Sequence, residues 1–362
     1  FISVLDLFKI GVGPSSSHTM GPMVAAKDFR QRVQSHVASI PDKSNLHIRC
    51  TLRGSLAFTG KGHATDRAIL LGIHNFAPQE LASQSVNELV GKLSQLDTIT
   101  LEDSTPIRFS PSKDIIFDRG DPLPAHPNGI ILELLDQTDH QLPNQVQVRP
   151  DLSLLDLPGT QLLTETYFSI GGGFITTLSE IDQLVAPLKM EDSHSCGFPF
   201  DCANQMMEMS ANSGLSIAAM KRSNEIERIS EAELNNGLDA TWQAMHTCVK
   251  NGLNAEGQLP GGLKVHRRAK SLFQQLKDNP QNANLNDWLC AYAMAVNEEN
   301  AAGHMVVTAP TNGAAGVIPA VIYYAMTHEG ATLDQARDFL LVAGAIGGLI
   351  KHKSSISGAE VG

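Results

Sequence analysis

Hydrophobic and polar positions change their rhythm part-way along the chain. From about Asn45 to Ile175, short β-leaning runs alternate with turn residues. They are Leu46-His47-Ile48-Arg49-Cys50-Thr51-Leu52, then Ile130-Ile131-Leu132-Glu133-Leu134 after the turn Pro127-Asn128-Gly129, then Leu163-Thr164-Glu165-Thr166-Tyr167-Phe168-Ser169-Ile170. Helical patterns interrupt them, starting near Pro22 with Met23-Val24-Ala25-Ala26 and near Asp66 with Ala68-Ile69-Leu70-Leu71. After about Ser179 the strand signals fade and helical spacing takes over. It runs over Ser213 to Met220, Glu231 to Asn251, Arg267 to Leu276, Asn286 to Ala301, Val317 to Met326 and Leu333 to Lys351. The pattern predicts an α+β N-terminal domain over 1–180 and a mainly α-helical C-terminal domain over 193–362. The segment 136–159, rich in Gln, Asp, Asn and Pro, reads as a surface loop or insertion.

Composition narrows the function classes. With 362 residues, 42% hydrophobic and only 18% charged, the chain can bury more than one core, and long disordered tracts are not expected. A net charge of -11 opposes any binding mode that neutralises a phosphate backbone, so no nucleic-acid partner is expected. The longest apolar stretch, Phe339 to Ile350, is well short of the roughly 20 residues needed to cross a bilayer, so no membrane span is expected. The five cysteines, Cys50, Cys196, Cys202, Cys248 and Cys290, form an odd, scattered set unlike a disulfide framework, and a cytoplasmic location is expected. The start, Phe1-Ile2-Ser3-Val4-Leu5-Asp6, has no initiator Met and no basic leader, and reads as mature protein or as a fragment.

Candidate chemistry sits in a few short segments. Gly13-Pro14-Ser15-Ser16-Ser17-His18-Thr19-Met20-Gly21-Pro22 gathers glycines and hydroxyls just ahead of a helix with proline at an N1-like place. Free amides at such a start would hold a carboxylate beside His18; a Ser-rich capping loop explains the same residues. Thr59-Gly60-Lys61-Gly62-His63-Ala64-Thr65-Asp66 again puts a histidine before a helix, with Thr65 or Asp66 available as cap, but it lacks phosphate-loop spacing. Ser169-Ile170-Gly171-Gly172-Gly173-Phe174 suits a ligand rim or an interdomain hinge rather than direct catalysis, and a plain flexible turn explains it equally well. In Asn297-Glu298-Glu299-Asn300 two asparagines lie three apart, which a solvated helix end explains equally well. Thr308-Ala309-Pro310-Thr311-Asn312-Gly313 crowds small residues around Thr311 and Asn312, which favours a ligand. Cys196 and Cys202 match no usual zinc or ferredoxin spacing and read as structural.

In this order, these segments together with Leu259-Pro260-Gly261 and Ser355-Ile356-Ser357-Gly358-Ala359-Glu360-Val361-Gly362 resemble the single-chain bacterial L-serine dehydratases that use a [4Fe-4S] cluster. The resemblance implies a β-chain domain followed by an α-chain domain, a site between them, and conversion of L-serine to pyruvate and ammonia by a homodimer. It makes His18 and His63 candidates for base or proton shuttle, because an imidazole can titrate near neutral pH. Ser16, Ser17, Thr19, Lys61, Thr65, Asp66, Thr311, Asn312, Ser357 and Glu360 become candidates for holding the substrate. The family's cluster cysteines are expected after Gly362, so no metal ligand is expected among these residues and the chain alone is expected to be inactive. Two rival readings are an amino-acid-binding or dimerising fragment and a pyridoxal-phosphate dehydratase using Lys61.

Overall fold

The computed structural model describes residues 2–83, 86–136, 160–181, 196–309 and 311–353. The chain divides into two compact units, one of residues 17–183 and one of residues 1–16 with 184–362. The first unit is α+β and the second mainly helical, as the hydrophobic pattern predicts.

The α+β unit is built on a sheet in which strands Thr98–Thr100, Pro106–Arg108, Leu46–Gly54, Asn128–Asp136, Thr160–Ser169 and Ile175–Thr177 follow one another, with Ile115–Asp118 also pairing Leu46–Gly54. Alternation along Leu46–Gly54 explains its place. Leu46, Ile48, Cys50 and Leu52 enter the core with Phe29, Val33 and Ile69, while the intervening positions are polar. Two of those polar side chains are buried and paired, His47 Nε2 to Asp114 at 2.8 Å and Arg49 Nε to Glu133 at 2.9 Å. Helix Gly21–Val37 lays Ala25, Ala26, Phe29, Val33 and Val37 on this core. It approaches helix Thr65–Ile73 so closely that a Cβ on Gly72 would lie 2.2 Å from the Met23 carbonyl oxygen.

Gly171, Gly172 and Gly173 all have positive φ and close the hairpin between Thr160–Ser169 and Ile175–Thr177, with Ser169 opposite Ile175. The plain turn that the sequence allowed is thus what forms here, and three consecutive residues at positive φ are the reason for three glycines. The 136–159 segment lies outside the described residues beyond Asp136.

The helical unit contains Ala203–Ser213, Ile217–Ile226, Glu231–Asn254, Ala269–Asp278, Leu285–Ala301, Val317–His328 and Leu333–Lys353. Capping boxes at Ser230/Glu233 and Asn284/Asp287 explain why two of these begin where they do. The first sixteen residues, expected in the N-terminal domain, belong to this unit. Strand Lys9–Val12 pairs antiparallel with Met305–Thr308, and Val4, Leu7 and Phe8 join a core with Leu238, Met245 and Leu340. Among the described residues no helix is long and apolar enough to cross a membrane.

Candidate active site

His18 and His63 come together. Their ring centroids are 4.8 Å apart, with the planes inclined at 43°. Helical backbone begins earlier than the proline signal predicts: a π-turn over Ser16–Met20 runs directly into Gly21–Val37, so His18 lies inside the first turn rather than ahead of it. His63 sits in the loop before Thr65–Ile73, whose cap is Ala64 in the left-handed region; neither Thr65 nor Asp66 caps it.

The expected substrate hydroxyls hold these two segments. Thr65 Oγ1 donates to the His18 carbonyl at 2.5 Å, and Thr19 Oγ1 donates to the His63 carbonyl at 2.7 Å. Each segment is thus tied to the other by a hydroxyl on a backbone oxygen. Ser169, at the end of its strand, donates to the Ser17 carbonyl at 2.6 Å, and buried Asn128 donates to the Ser169 carbonyl at 3.1 Å.

The two rings differ chemically. His18 is buried, with Nδ1 2.9 Å from Ser17 Oγ and Nε2 3.0 Å from Ser55 Oγ. Burial, and then the neighbouring His63, lower its pKa from 6.5 to about 4, so the ring is neutral at neutral pH. His63 places Nδ1 3.0 Å from the Thr59 carbonyl oxygen. A carbonyl only accepts, so Nδ1 carries the proton and the neutral ring has its lone pair on Nε2. Nearby, Lys61 and Asp66 form an exposed ion pair at 2.5 Å, with the ammonium 4.7 Å from the Phe117 ring centre. Lys61 is solvated and ion-paired, the opposite of the desolvated setting that frees a lysine amine for imine chemistry.

In the helical unit the other motifs form a brace. Asn312 is buried; its Nδ2 donates to Asn300 Oδ1 at 2.9 Å and to the Val12 carbonyl at 3.3 Å, while its Oδ1 accepts from Thr308 at 2.7 Å. Asn300 donates to the Pro14 carbonyl at 3.1 Å, and a Cβ on Gly13 would stand 2.0 Å from the Asn300 carbonyl oxygen. The neighbouring acids are buried rather than solvated. Glu298 accepts from the amides that open helix Ala269–Asp278, and Glu299 pairs with Arg267 at 2.7 Å and His304 at 2.9 Å. Burial alone would raise the Glu299 carboxyl, but His304 and Arg267 hold it below its usual range. Of the remaining candidates, Ser16 is buried, Thr311 is exposed, and Ser357 and Glu360 lie outside the described residues.

Comparison with known proteins accounts for both halves. Residues 3–148 match the serine dehydratase beta chain and residues 212–362 the serine dehydratase alpha chain. The L-serine dehydratase of Streptomyces coelicolor is 42% identical over 364 residues, covering 100% of this chain and 74% of that protein. An L-serine dehydratase of Escherichia coli is 39% identical over 367 residues and one of Helicobacter pylori 38% over 371, covering 100% and 99% of this chain and 74% of each relative. The chain belongs to the serine dehydratase family.

The iron-sulfur cluster that the family resemblance implies needs several thiolates in one place, and the described part of this chain has no such place. Cys50, Cys248 and Cys290 stand on three separate elements, burial pushes the Cys50 and Cys248 thiols up, and among the described residues no group of three His, Cys, Asp or Glu could hold a metal ion. Beyond the motif residues, sequence reading passed over Ser55, Asn128 and Ser169 as supports of the histidine pair. The glycine of Gly54-Ser55, ending a strand, and the Asn128-Gly129 turn were the available signals.

Proposed function

We propose that this chain carries out the L-serine dehydratase reaction, converting L-serine to pyruvate and ammonia, with His63 as the base. The observation that carries this reading is the hydrogen bond from His63 Nδ1 to the Thr59 carbonyl, which leaves Nε2 as the acceptor for a proton. His63 Nε2 takes the proton from Cα, the electron pair forms the Cα–Cβ double bond, and the β-hydroxyl departs. The resulting aminoacrylate takes a proton at Cβ to become an imine, which water hydrolyses to pyruvate and ammonia. His18, neutral and set against His63, keeps a second positive charge away from the ring that becomes protonated. Thr19 and Thr65 act as positioning residues through the carbonyls of the two histidines.

A zwitterionic amino acid presents one carboxylate and one ammonium, and the Lys61–Asp66 pair offers the opposite charges on either side of His63 in sequence, Lys61 in its loop and Asp66 in the first turn of the helix that follows. These two residues and Ser17 are the proposed substrate contacts. The reading includes a [4Fe-4S] cluster on the strength of the family resemblance, while the described residues do not fit one. Pyruvate release by the anaerobically prepared holoenzyme tests the function. L-serine is expected to give pyruvate and ammonia in equal amounts, and failure to turn over L-serine would sink the proposal.

A further inference from the structure

Ser55 belongs to neither histidine motif, yet its hydroxyl stands 3.0 Å from His18 Nε2. The backbone around it is built to hold it there. Strand Leu46–Gly54 ends in Gly54 at φ +57°, where a Cβ would lie 2.2 Å from the Pro127 carbonyl oxygen. The chain can therefore turn against Pro127 only with glycine, and the Ser55 amide donates to that same carbonyl at 2.9 Å. The Ser55 carbonyl in turn accepts from Thr59 Oγ1 at 2.8 Å, so Ser55 is fixed on both sides of its Cα.

The hydroxyl on the other ring nitrogen has no such independence. Ser17 is the residue before His18 on the same π-turn, and moves with it. Ser55 stands on a different element, 37 residues away, and can oppose rotation of the ring. We infer that Ser55 is a positioning residue for the histidine pair: its hydroxyl sets the rotamer of His18, and so the face that His18 presents to His63. A hydroxyl both donates and accepts, so it serves whichever tautomer Ser17 leaves at Nε2; a methyl group serves neither. With Ser55→Ala, Nε2 loses the hydroxyl that stands 3.0 Å from it, and the ring gains freedom to turn.

The inference rests on the dehydratase reading of the pair, and two readouts separate their fates. The first is nitrogen-15 NMR of the histidine rings in this chain. Wild-type His18 is expected to give one set of ring signals, Ser55→Ala to shift both ring nitrogens away from it, and Ser55→Thr, which keeps the hydroxyl, to restore the wild-type pattern. The second is steady-state turnover of L-serine by the holoenzyme. Ser55→Ala is expected to lower kcat about tenfold, the worth of one buried hydrogen bond, with KM changed by less than about threefold. Unchanged His18 ring signals together with unchanged kcat in Ser55→Ala would overturn the inference. If wild-type holoenzyme made no pyruvate while Ser55→Ala still altered the His18 ring, the dehydratase reading would fall and the hold of Ser55 on His18 would stand.

Discussion

At His18 burial and a second imidazole act in the same direction, and at His74 burial and Arg30 do the same; both rings are lowered from 6.5 to about 4. The unfolded chain takes up a proton at each near pH 6.5, whereas the folded chain resists until about 4. Their neutral form thus favours folding above about pH 6.5, and that contribution is lost as pH falls through the window. Thermal melts are expected to show Tm decreasing between pH 6.5 and 4.5, and His74→Asn to flatten part of the slope. A second residue-scale outcome concerns Thr65, whose buried hydroxyl satisfies the His18 carbonyl. Thr65→Val removes that hydrogen bond and is expected to cost about 1–3 kcal/mol in urea unfolding. The histidines themselves were legible in the sequence, because each stands among glycines and hydroxyls. What their hydroxyl neighbours bond to was not, since His18 meets Ser55 and Thr65 only after the chain has folded.

The elements were legible to the degree that their pattern is long and local. Helices Glu231–Asn254, Leu285–Ala301 and Val317–His328 match the hydrophobic spacing closely, and caps mark two of their starts. Strands Lys9–Val12 and Met305–Thr308 are four residues each and find one another across nearly the whole chain, so no local pattern announces them. Helix Ala203–Ser213 was also passed over, its window mixing Asn, Ser and Met without a clear apolar stripe. Proline at position 22 marks the start of its helix at Gly21, whereas the π-turn over Ser16–Met20 that precedes it carries no local sequence signal. Close helix approach gives an element-scale expectation. Gly72→Ala puts a methyl carbon where the Met23 carbonyl oxygen already lies, and is expected to destabilise the chain by about 1–3 kcal/mol through overpacking, measured by chemical unfolding.

Across the whole molecule, the sequence anticipated one α+β and one helical region but not that residues 1–16 belong with the second. Their attachment is polar as well as apolar. Buried Lys221 donates to the Ile2 carbonyl at 2.6 Å and pairs with Glu225 at 3.0 Å, while Glu225 accepts from the Val4 amide at 2.7 Å and from Ser3 at 2.8 Å. Lys221→Met strands the Glu225 charge in the interior and is expected to cost about 3–5 kcal/mol, read from the unfolding midpoint of the full chain. Placing the strand Lys9–Val12 in the helical unit also sets the Gly13-Pro14 turn against the Asn300–Asn312 brace. The account as a whole turns on His63 as base, which single-turnover formation of pyruvate from bound L-serine tests most directly. Holoenzyme carrying His63→Gln is expected to bind L-serine yet form pyruvate about 10²–10⁴-fold more slowly than wild type; a single-turnover rate within about threefold of wild type would contradict it.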